Sequence, residues 1–558
     1  MQPRTVPPTE TGFDDVVVGA GAGGGPLAAD LAAAGMRTLL LDGGGAKDND
    51  SYLVPAFHAD AYEDPTQCWN YFVRHYADDQ QQRRDSKLVP GEGLLYSRAG
   101  TIGECTAHHA PITVCPYHRD WDAIAVETGD ASWHSTAMRR YFERPECCTY
   151  RPRPKKPPGL PLSTTGGHRS AVRESVRAVQ RDHPAHLVVR THAPAARIVL
   201  DEGHAATGVD YLDEAHAYRA DPGTRPDSWP VEPRRVLASR EVILAAAAFN
   251  TPQLLMLSGI EPPEELGLHG IPVRVGLYGV GAHLQDRYEV GVVSQMPREF
   301  PVDQACDFHA PKPGAEPDHC YRERQEGKGL CSANGAVLGI TRKSRPDLDA
   351  PDLFIFGGPF DFRGYRPGYS LDLAHHQDRF TWAFSRAAPA TREAGSGCAR
   401  QTRATPPLID FHYFAEGTDK EGLDLETMAD AVEFVRGVNR MTASVVRTEL
   451  WPGEEVDDRD AVRLFVQDEA WGHHASCTCR MGRADDRAAV VDSTLRVRGV
   501  DCLRIVDASV FPPIPGFFVA APHLHDQREG ERRDPPRGRR QPTPTTVPSL
   551  NETIRSMR

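Results

Sequence analysis

A glycine-dense turn near the start of the chain constrains the fold more than any other feature. Residues 13–18 read as a short strand and run directly into Gly19-Ala20-Gly21-Ala22-Gly23-Gly24. Residues 27–34 then supply helix-forming side chains up to Gly35, and a second apolar strand over residues 37–41 ends on Asp42. In this order of strand, Gly-x-Gly-x-x-Gly, helix, strand and acid, each part has a physical role. Gly19 permits the tight turn, Gly21 lets a pyrophosphate approach the backbone, and Gly24 lets helix and strand pack closely. The helix N-terminus turns free N–H groups and a positive dipole end toward phosphates. Asp42 falls about 20 residues after the glycines, where a carboxylate accepts the hydroxyls of an adenosine ribose. The pattern predicts a dinucleotide-binding unit in an α/β fold. By itself it does not separate a flavin dinucleotide from a nicotinamide one, and a Gly-rich loop in another α/β fold is the plainer alternative. Gly43-Gly44-Gly45 reads as a turn.

At 558 residues the chain exceeds one compact core, which predicts two or more closely packed domains. A net charge of −13 argues against nucleic acid as the main partner, because phosphate binding needs a basic surface. No apolar run approaches the ~18–20 residues of a bilayer span, so no transmembrane segment is expected. The first 11 residues are polar and Pro-rich, without the apolar stretch of a secretory signal. The 12 cysteines are scattered through a long chain, which predicts reduced thiols and a cytoplasmic protein. Arg outnumbers Lys, and Ala, Gly and Pro abound, a bias of GC-rich, bacterial-like coding sequence.

Four later segments extend the pattern. One is Gly100-Thr101-Ile102-Gly103-Glu104-Cys105-Thr106-Ala107-His108-His109, followed by Asp120-Trp121-Asp122 and Gly129 to Trp133. The second runs from Glu241 to Ile260 and includes Ala248-Phe249-Asn250-Thr251-Pro252-Gln253. Gly279-Val280-Gly281 with Leu284-Gln285-Asp286 is the third. The last begins at His473-His474-Ala475-Ser476-Cys477-Thr478-Cys479-Arg480-Met481-Gly482 and ends in Val506-Asp507-Ala508-Ser509-Val510-Phe511-Pro512. In content and order, across roughly residues 13–522, these motifs resemble the glucose–methanol–choline (GMC) oxidoreductases and their choline dehydrogenase-like members.

The resemblance implies an FAD-dependent enzyme that transfers hydride from the CH–OH group of an alcohol to flavin, with oxygen or another electron acceptor completing the cycle. It implies a discontinuous Rossmann-like FAD-binding domain built from residues 13–150, 186–290 and 470–522. An α+β substrate domain, residues 291–469, would roof the flavin with an antiparallel sheet. Residues 1–12 and 523–558 read as disordered tails. Cofactor contacts are expected from Gly19, Gly21, Gly24, Asp42, Gly103, Cys105, Thr106, His108, Ala195, Asp507 and Ala508. Some members of the family link FAD covalently through a His at the position of His108; a non-covalent or simply buried histidine is the favoured reading there. Trp382, Phe411, His412, Tyr413 and Phe414 read as strand packing in the substrate domain.

Alcohol oxidation requires removal of the hydroxyl proton as well as the hydride, and a neutral imidazole suits that task near pH 7. Counted back from Met481-Gly482, His474 takes the family's catalytic position, with His473 as its neighbour and possible substitute. The family's second catalytic position falls on Phe518, which can neither take a proton nor hydrogen-bond an alkoxide. His473, His474, Cys477 and Cys479 also have the chemistry of zinc ligands, but no second ligand pair stands at a zinc-site spacing, and no metal is expected.

The chain departs from the family at several points. Glu104, Ala247 and Glu261 replace glycines, and His109 replaces Asn. Each would weaken FAD binding if its position demands φ > 0 or close backbone approach, and a carboxylate at 104 would repel flavin phosphates. After Pro522 the family continues as an apolar-faced helix, whereas this chain continues polar and Pro/Arg-rich. Reverse-translated and read one base later, residues 523–534 become Ile-Tyr-Met-Ile-Ser-Glu-Lys-Ala-Ser-Asp-Val, which restores such a helix. Residues 385–406, without a strand pattern in frame, behave alike when shifted. Two changes of reading frame would account for both segments. The alternative functional reading is therefore a destabilised, flavin-poor member of the same fold.

Overall fold

In the computed structural model, residues 7–143, 170–225, 231–301, 306–311, 314–326, 328–387, 389, 395–397 and 405–519 are described. The first strand, β1 (Thr9–Val18), starts inside the expected N-terminal tail. Thr9 and Glu10 pair with Arg235 and Val236, and the Glu10 carboxylate lies 2.6 Å from Arg190. A long partner strand recruits residues whose own sequence pattern is not strand-like, because register is set by pairing as well as by local preference.

From β1 the chain enters α1 (Gly24–Ala33), then β2 (Thr38–Leu41), and a hairpin of β3 (Cys68–Val73) and β4 (Leu94–Ala99). Further on come α2 (Ala171–Asp182), β5 (Leu187–Arg190), β6 (Ala195–Leu200), β7 (Ala206–Tyr211), β8 (Arg234–Leu244) and α3 (Ala247–Leu257). Strands β5, β2, β1 and β8 lie parallel in that order. The last strand, β16 (Leu503–Ile505), pairs in parallel with the C-terminal half of β8, while β7 and β6 continue antiparallel from its N-terminal half. Val16, Val17, Leu39, Leu40, Val242 and Leu244 are fully buried, as strands covered on both faces must be. Small residues bring the covering helices close: a Cβ on Gly25 would press on Val172 of α2.

The second sheet is antiparallel. Its order is β10 (Leu338–Arg342), β11 (Leu353–Gly358), β12 (Arg379–Arg386), β9 (Glu289–Gln295) and β15 (Thr448–Trp451). Helix α4 (Leu423–Met441) packs on β12 and β9 through Met428, Val432 and Val435. Residues 385–406 are not wholly without strand: Ser385 and Arg386 end β12, and β13 (Gly395–Gly397) pairs with β14 (Leu408–Asp410). The remainder of that segment is largely outside the described residues, as are all of 523–558, so both proposed frame changes fall there. The expectation of reduced thiols is corrected at one place. Cys306 and Cys320 form a disulfide, their Cα atoms 5.7 Å apart in a small core with Val54, Phe57 and Cys331. Among the described residues no helix is long and apolar enough to cross a membrane.

Candidate active site

The glycine turn lies where β1, β8 and β16 end side by side. Gly19 has φ +103, and a Cβ there would collide with the carbonyl of Ala245, just past β8. A Cβ on Gly24 would strike the carbonyl of Gly19, and one on Gly23 that of Val506, just past β16. Asp42 closes β2 and braces the turn: its two carboxylate oxygens accept hydrogen bonds from the backbone N–H of Ala20 (2.9 Å) and Gly44 (2.8 Å). Each oxygen retains a second lone pair for a sugar hydroxyl. The loop after β4 docks on the same turn through Gly103 N–H, which donates to the Ala20 carbonyl at 2.9 Å. Thr106 returns a 2.6 Å bond from its hydroxyl to the Gly103 carbonyl.

The histidine-bearing loop is anchored by one carboxylate. Asp286 accepts from His474 N–H and Arg287 N–H, each at 2.7 Å, and from the Tyr96 hydroxyl at 2.6 Å. The Tyr96 oxygen in turn accepts Ala475 N–H at 2.8 Å. Burial pushes the Asp286 carboxyl up to about 6 despite these donors. The two imidazoles stack obliquely, ring centres 4.0 Å apart. Their Nδ1 atoms lie 3.5 and 3.6 Å from the two oxygens of Glu289, close contacts too long for direct hydrogen bonds. Glu289 opens β9 and accepts from Trp471 Nε1 at 3.2 Å; burial, reinforced by Asp286, pushes it up to about 8. Burial pushes His473 down to about 3, helped by the positive charge of Arg98 and Arg287, so its ring is neutral at pH 7.

Both constructions face one cleft of about 1430 Å³ between the two sheets. Ala22, Gly23, Asp507 and Ala508 line its floor, and His473, His474 and Phe518 one wall. Tyr62, Phe360, Phe362, Tyr365 and Tyr369 form the rest of an aromatic chamber. A second cavity of about 610 Å³ continues past Gly19 to Asp42, Ala193, Pro194 and Ala195, walled by Trp69, Tyr71 and Phe249. Arg98, Glu104, Cys105 and Ala247 line both, so together the two spaces describe one bent channel. The two spaces bring together a carboxylate, a glycine turn and a histidine pair, the groups a dinucleotide would need at its sugar, diphosphate and redox ring. One side chain obstructs the channel. A Cβ on Gly21 would overlap the carboxyl of Glu104, and one on Gly19 would lie 3.0 Å from it.

The expected site residues thus mostly converge. Gly19, Cys105, Thr106, Asp42, Ala195, Asp507 and Ala508 line the channel, with His473 and His474 at its far end, whereas Gly21, Gly24 and Gly103 stand behind that lining in the glycine turn and the loop docked on it. Asp507 also caps the turn after β16, accepting from Ser509 N–H, Ala247 N–H and the Thr251 hydroxyl. His108 is buried, in keeping with the favoured reading of that position: it stacks on Tyr62 with ring centres 3.9 Å apart and lines neither cavity, whereas His109 faces the cleft. Phe518 meets the His474 ring edge-on at 5.6 Å, which places a phenyl ring where a second catalytic group was sought. Ala247 and Glu104 have φ of 65° and 42°, the left-handed values anticipated for replaced glycines; Glu261 does not. Phe411, Tyr413 and Phe414 pack in a turn after β14 rather than in a strand, whereas Trp382 lies within β12 as strand packing requires. Cys477 and Cys479 are buried beside Ala508 and Ser509, and the donor atoms that gather round the histidines are those of Glu289, within 4.8 Å of one another. Sequence reasoning missed Glu289 and Arg98. A lone carboxylate opening the apolar run Val290-Gly291-Val292-Val293 was the available signal for the first.

The architecture and the channel define an FAD-dependent oxidoreductase on an α/β fold. The GMC oxidoreductase family models match residues 161–289 and 398–524, the second ending two residues beyond Pro522. The chain belongs to the GMC oxidoreductase family. It is 26% identical to choline oxidase of Arthrobacter globiformis, with 93% of each chain covered. With the oxygen-dependent choline dehydrogenase of Chromohalobacter salexigens it shares 28% identity over 92% of this chain and 93% of that one. Its fold superimposes on pyridoxine 4-oxidase from Mesorbium loti with a TM-score of 0.70, at 20% identity over 94% and 99% of the two chains.

Proposed function

We propose that the aromatic chamber binds a small alcohol and that His474 takes its hydroxyl proton while the CH–OH carbon is oxidised. The observation that carries this reading is the closure of two segments some 450 residues apart, Ala22-Gly23 and His473-His474, on one cleft. FAD, when bound, supplies the hydride acceptor. Everything else is asked of the chain's own side chains. Gly19 and Gly21 would leave room for a diphosphate once the Glu104 carboxyl has moved, Gly24 lets the helix pack on its strand, Asp42 would face the sugar, and residues 193–195 would face the base. Residues 13–150, 186–290 and 470–522 serve as the cofactor-binding part, and residues 291–469 as the substrate part.

His474 is held by its backbone N–H to Asp286, which fixes the loop that carries its ring. Phe518 offers no proton acceptor, which leaves His473 and Glu289 as the polar neighbours of the reacting hydroxyl. His473, neutral at pH 7, is able to accept a hydrogen bond or a proton. The ring-lined walls keep water from the reacting carbon and favour an alcohol with an apolar or aromatic body. Oxygen or another acceptor then reoxidises the enzyme.

The test is anaerobic mixing of FAD-loaded protein with a panel of alcohols. Bleaching of the flavin band near ~450 nm by at least one alcohol is expected, that loss of colour being the flavin's own redox chemistry. A loaded protein whose spectrum no alcohol changes would refute the reading.

A further inference from the structure

We propose that Glu104 is a displaceable plug in the diphosphate cradle, so that this protein takes up FAD only when the Glu104 carboxyl leaves the glycine turn. The inference rests on the FAD-binding reading of the same channel and adds to it a residue that opposes loading.

Three independent features place the plug. First, the carboxyl occupies the hollow that the missing side chains of Gly21 and Gly19 create: one oxygen would overlap a Cβ on Gly21, and the other would be 3.0 Å from a Cβ on Gly19. A glycine at the second position of such a turn exists to let a diphosphate approach the backbone. Here the approach is taken by a side chain. Second, Glu104 lines both the cleft holding His474 and the cavity holding Asp42, so it stands at the constriction between them. No dinucleotide can run from one to the other with the side chain in this place. Third, the backbone beneath it cannot retreat. Gly103 N–H is bonded to Ala20 and Glu104 N–H to Thr101 (2.7 Å), so clearance must come from side-chain rotation.

The charge surroundings of the Glu104 carboxyl bear on loading as well. Asp42, Cys105 and Asp507 are the acidic neighbours that act on the Glu104 carboxyl, and Arg98 opposes them with its positive charge. Burial above all, then these acids, raises the carboxyl well above the usual carboxylate range. A doubly charged diphosphate brought to the same hollow meets the bulk of the side chain and a cluster of acidic neighbours. Glu104 also has φ 42°, so removing the side chain and relaxing the backbone are separable effects.

The experiment uses the full chain freed of flavin, titrated with FAD and read by quenching of flavin fluorescence. Three proteins are compared: the parent, Glu104→Gly and Glu104→Ala. Glu104→Gly removes plug and backbone strain together, whereas Glu104→Ala keeps the strained φ and removes only the carboxyl. The proposal expects both variants to bind FAD roughly tenfold or more tightly than the parent, the alanine variant keeping most of the gain. If all three bind FAD with equal affinity, or only Glu104→Gly improves, the plug is refuted while the FAD reading survives. If none binds FAD although each melts cooperatively, the FAD reading itself is lost and the plug with it.

Discussion

Glu261 and His474 illustrate opposite uses of a buried titratable side chain. Glu261, 3% exposed at the end of α3, lines neither cavity, and its Oε2 accepts no hydrogen bond from the described residues. Burial, and the nearby charge of Glu265, push its carboxyl up to about 8. A folded-state value raised above the unfolded one means stability is intact below the usual carboxylate range and is lost as pH rises through about 8. Glu261→Gln should therefore raise unfolding free energy by about 1–3 kcal/mol at pH 8, with the gain vanishing near pH 4; urea melts at both pH values check it. His474 serves chemistry instead. His474→Ala should lower kcat by on the order of 10²–10⁴-fold with FAD still bound, and His473→Ala by less, in steady-state assays with any alcohol that bleaches the flavin. The histidines were legible because their spacing to Met481-Gly482 is local. Glu289 was not, since what brings it to them is the pairing of β9 with Trp471, a contact between residues 182 apart.

At the scale of elements, the glycine turn was readable because its strand, turn and helix follow one another without interruption, and Gly19, Gly23 and Gly24 answer clashes within that unit or at the adjoining strand ends. The start of β1 was not readable. Thr9 and Glu10 become strand because β8 runs long enough to pair with them, and a strand's length is set by its neighbour. Entry into α3 shows a cost visible from both sides. The chain turns from β8 into the helix through Ala247 at φ 65°, and Asp507 accepts its N–H at 3.0 Å. A left-handed alanine costs about 1 kcal/mol relative to glycine. Ala247→Gly should accordingly raise the thermal midpoint of the FAD-free protein, the increase amounting to about 1 kcal/mol at the midpoint by calorimetry; an unchanged or lowered midpoint would show that the turn is not strained there.

Over the whole molecule, the glycine turn pointed to an α/β dinucleotide fold, while the antiparallel sheet was expected only from the family resemblance carried by the later motifs. Neither revealed that Glu104 would lie against Gly21, nor that His108 would turn its ring onto Tyr62. Such packing is decided by residues hundreds of positions apart. Because the channel runs between β16, the glycine turn and the second sheet, a ligand filling it should stabilise the entire fold. FAD at about 100 times its Kd should add about 2.7 kcal/mol to unfolding free energy, seen as one cooperative melt moving upward.

The most direct measurement is a crystal structure of the FAD-saturated protein. Electron density should run from Asp42 past Gly19 and Gly21, with Glu104 swung out of the turn, and end in a flavin ring in contact with His474. Density for FAD elsewhere, or a flavin ring separated from His474 by the wall of the cleft, would contradict the central claim that one cofactor joins the two motifs.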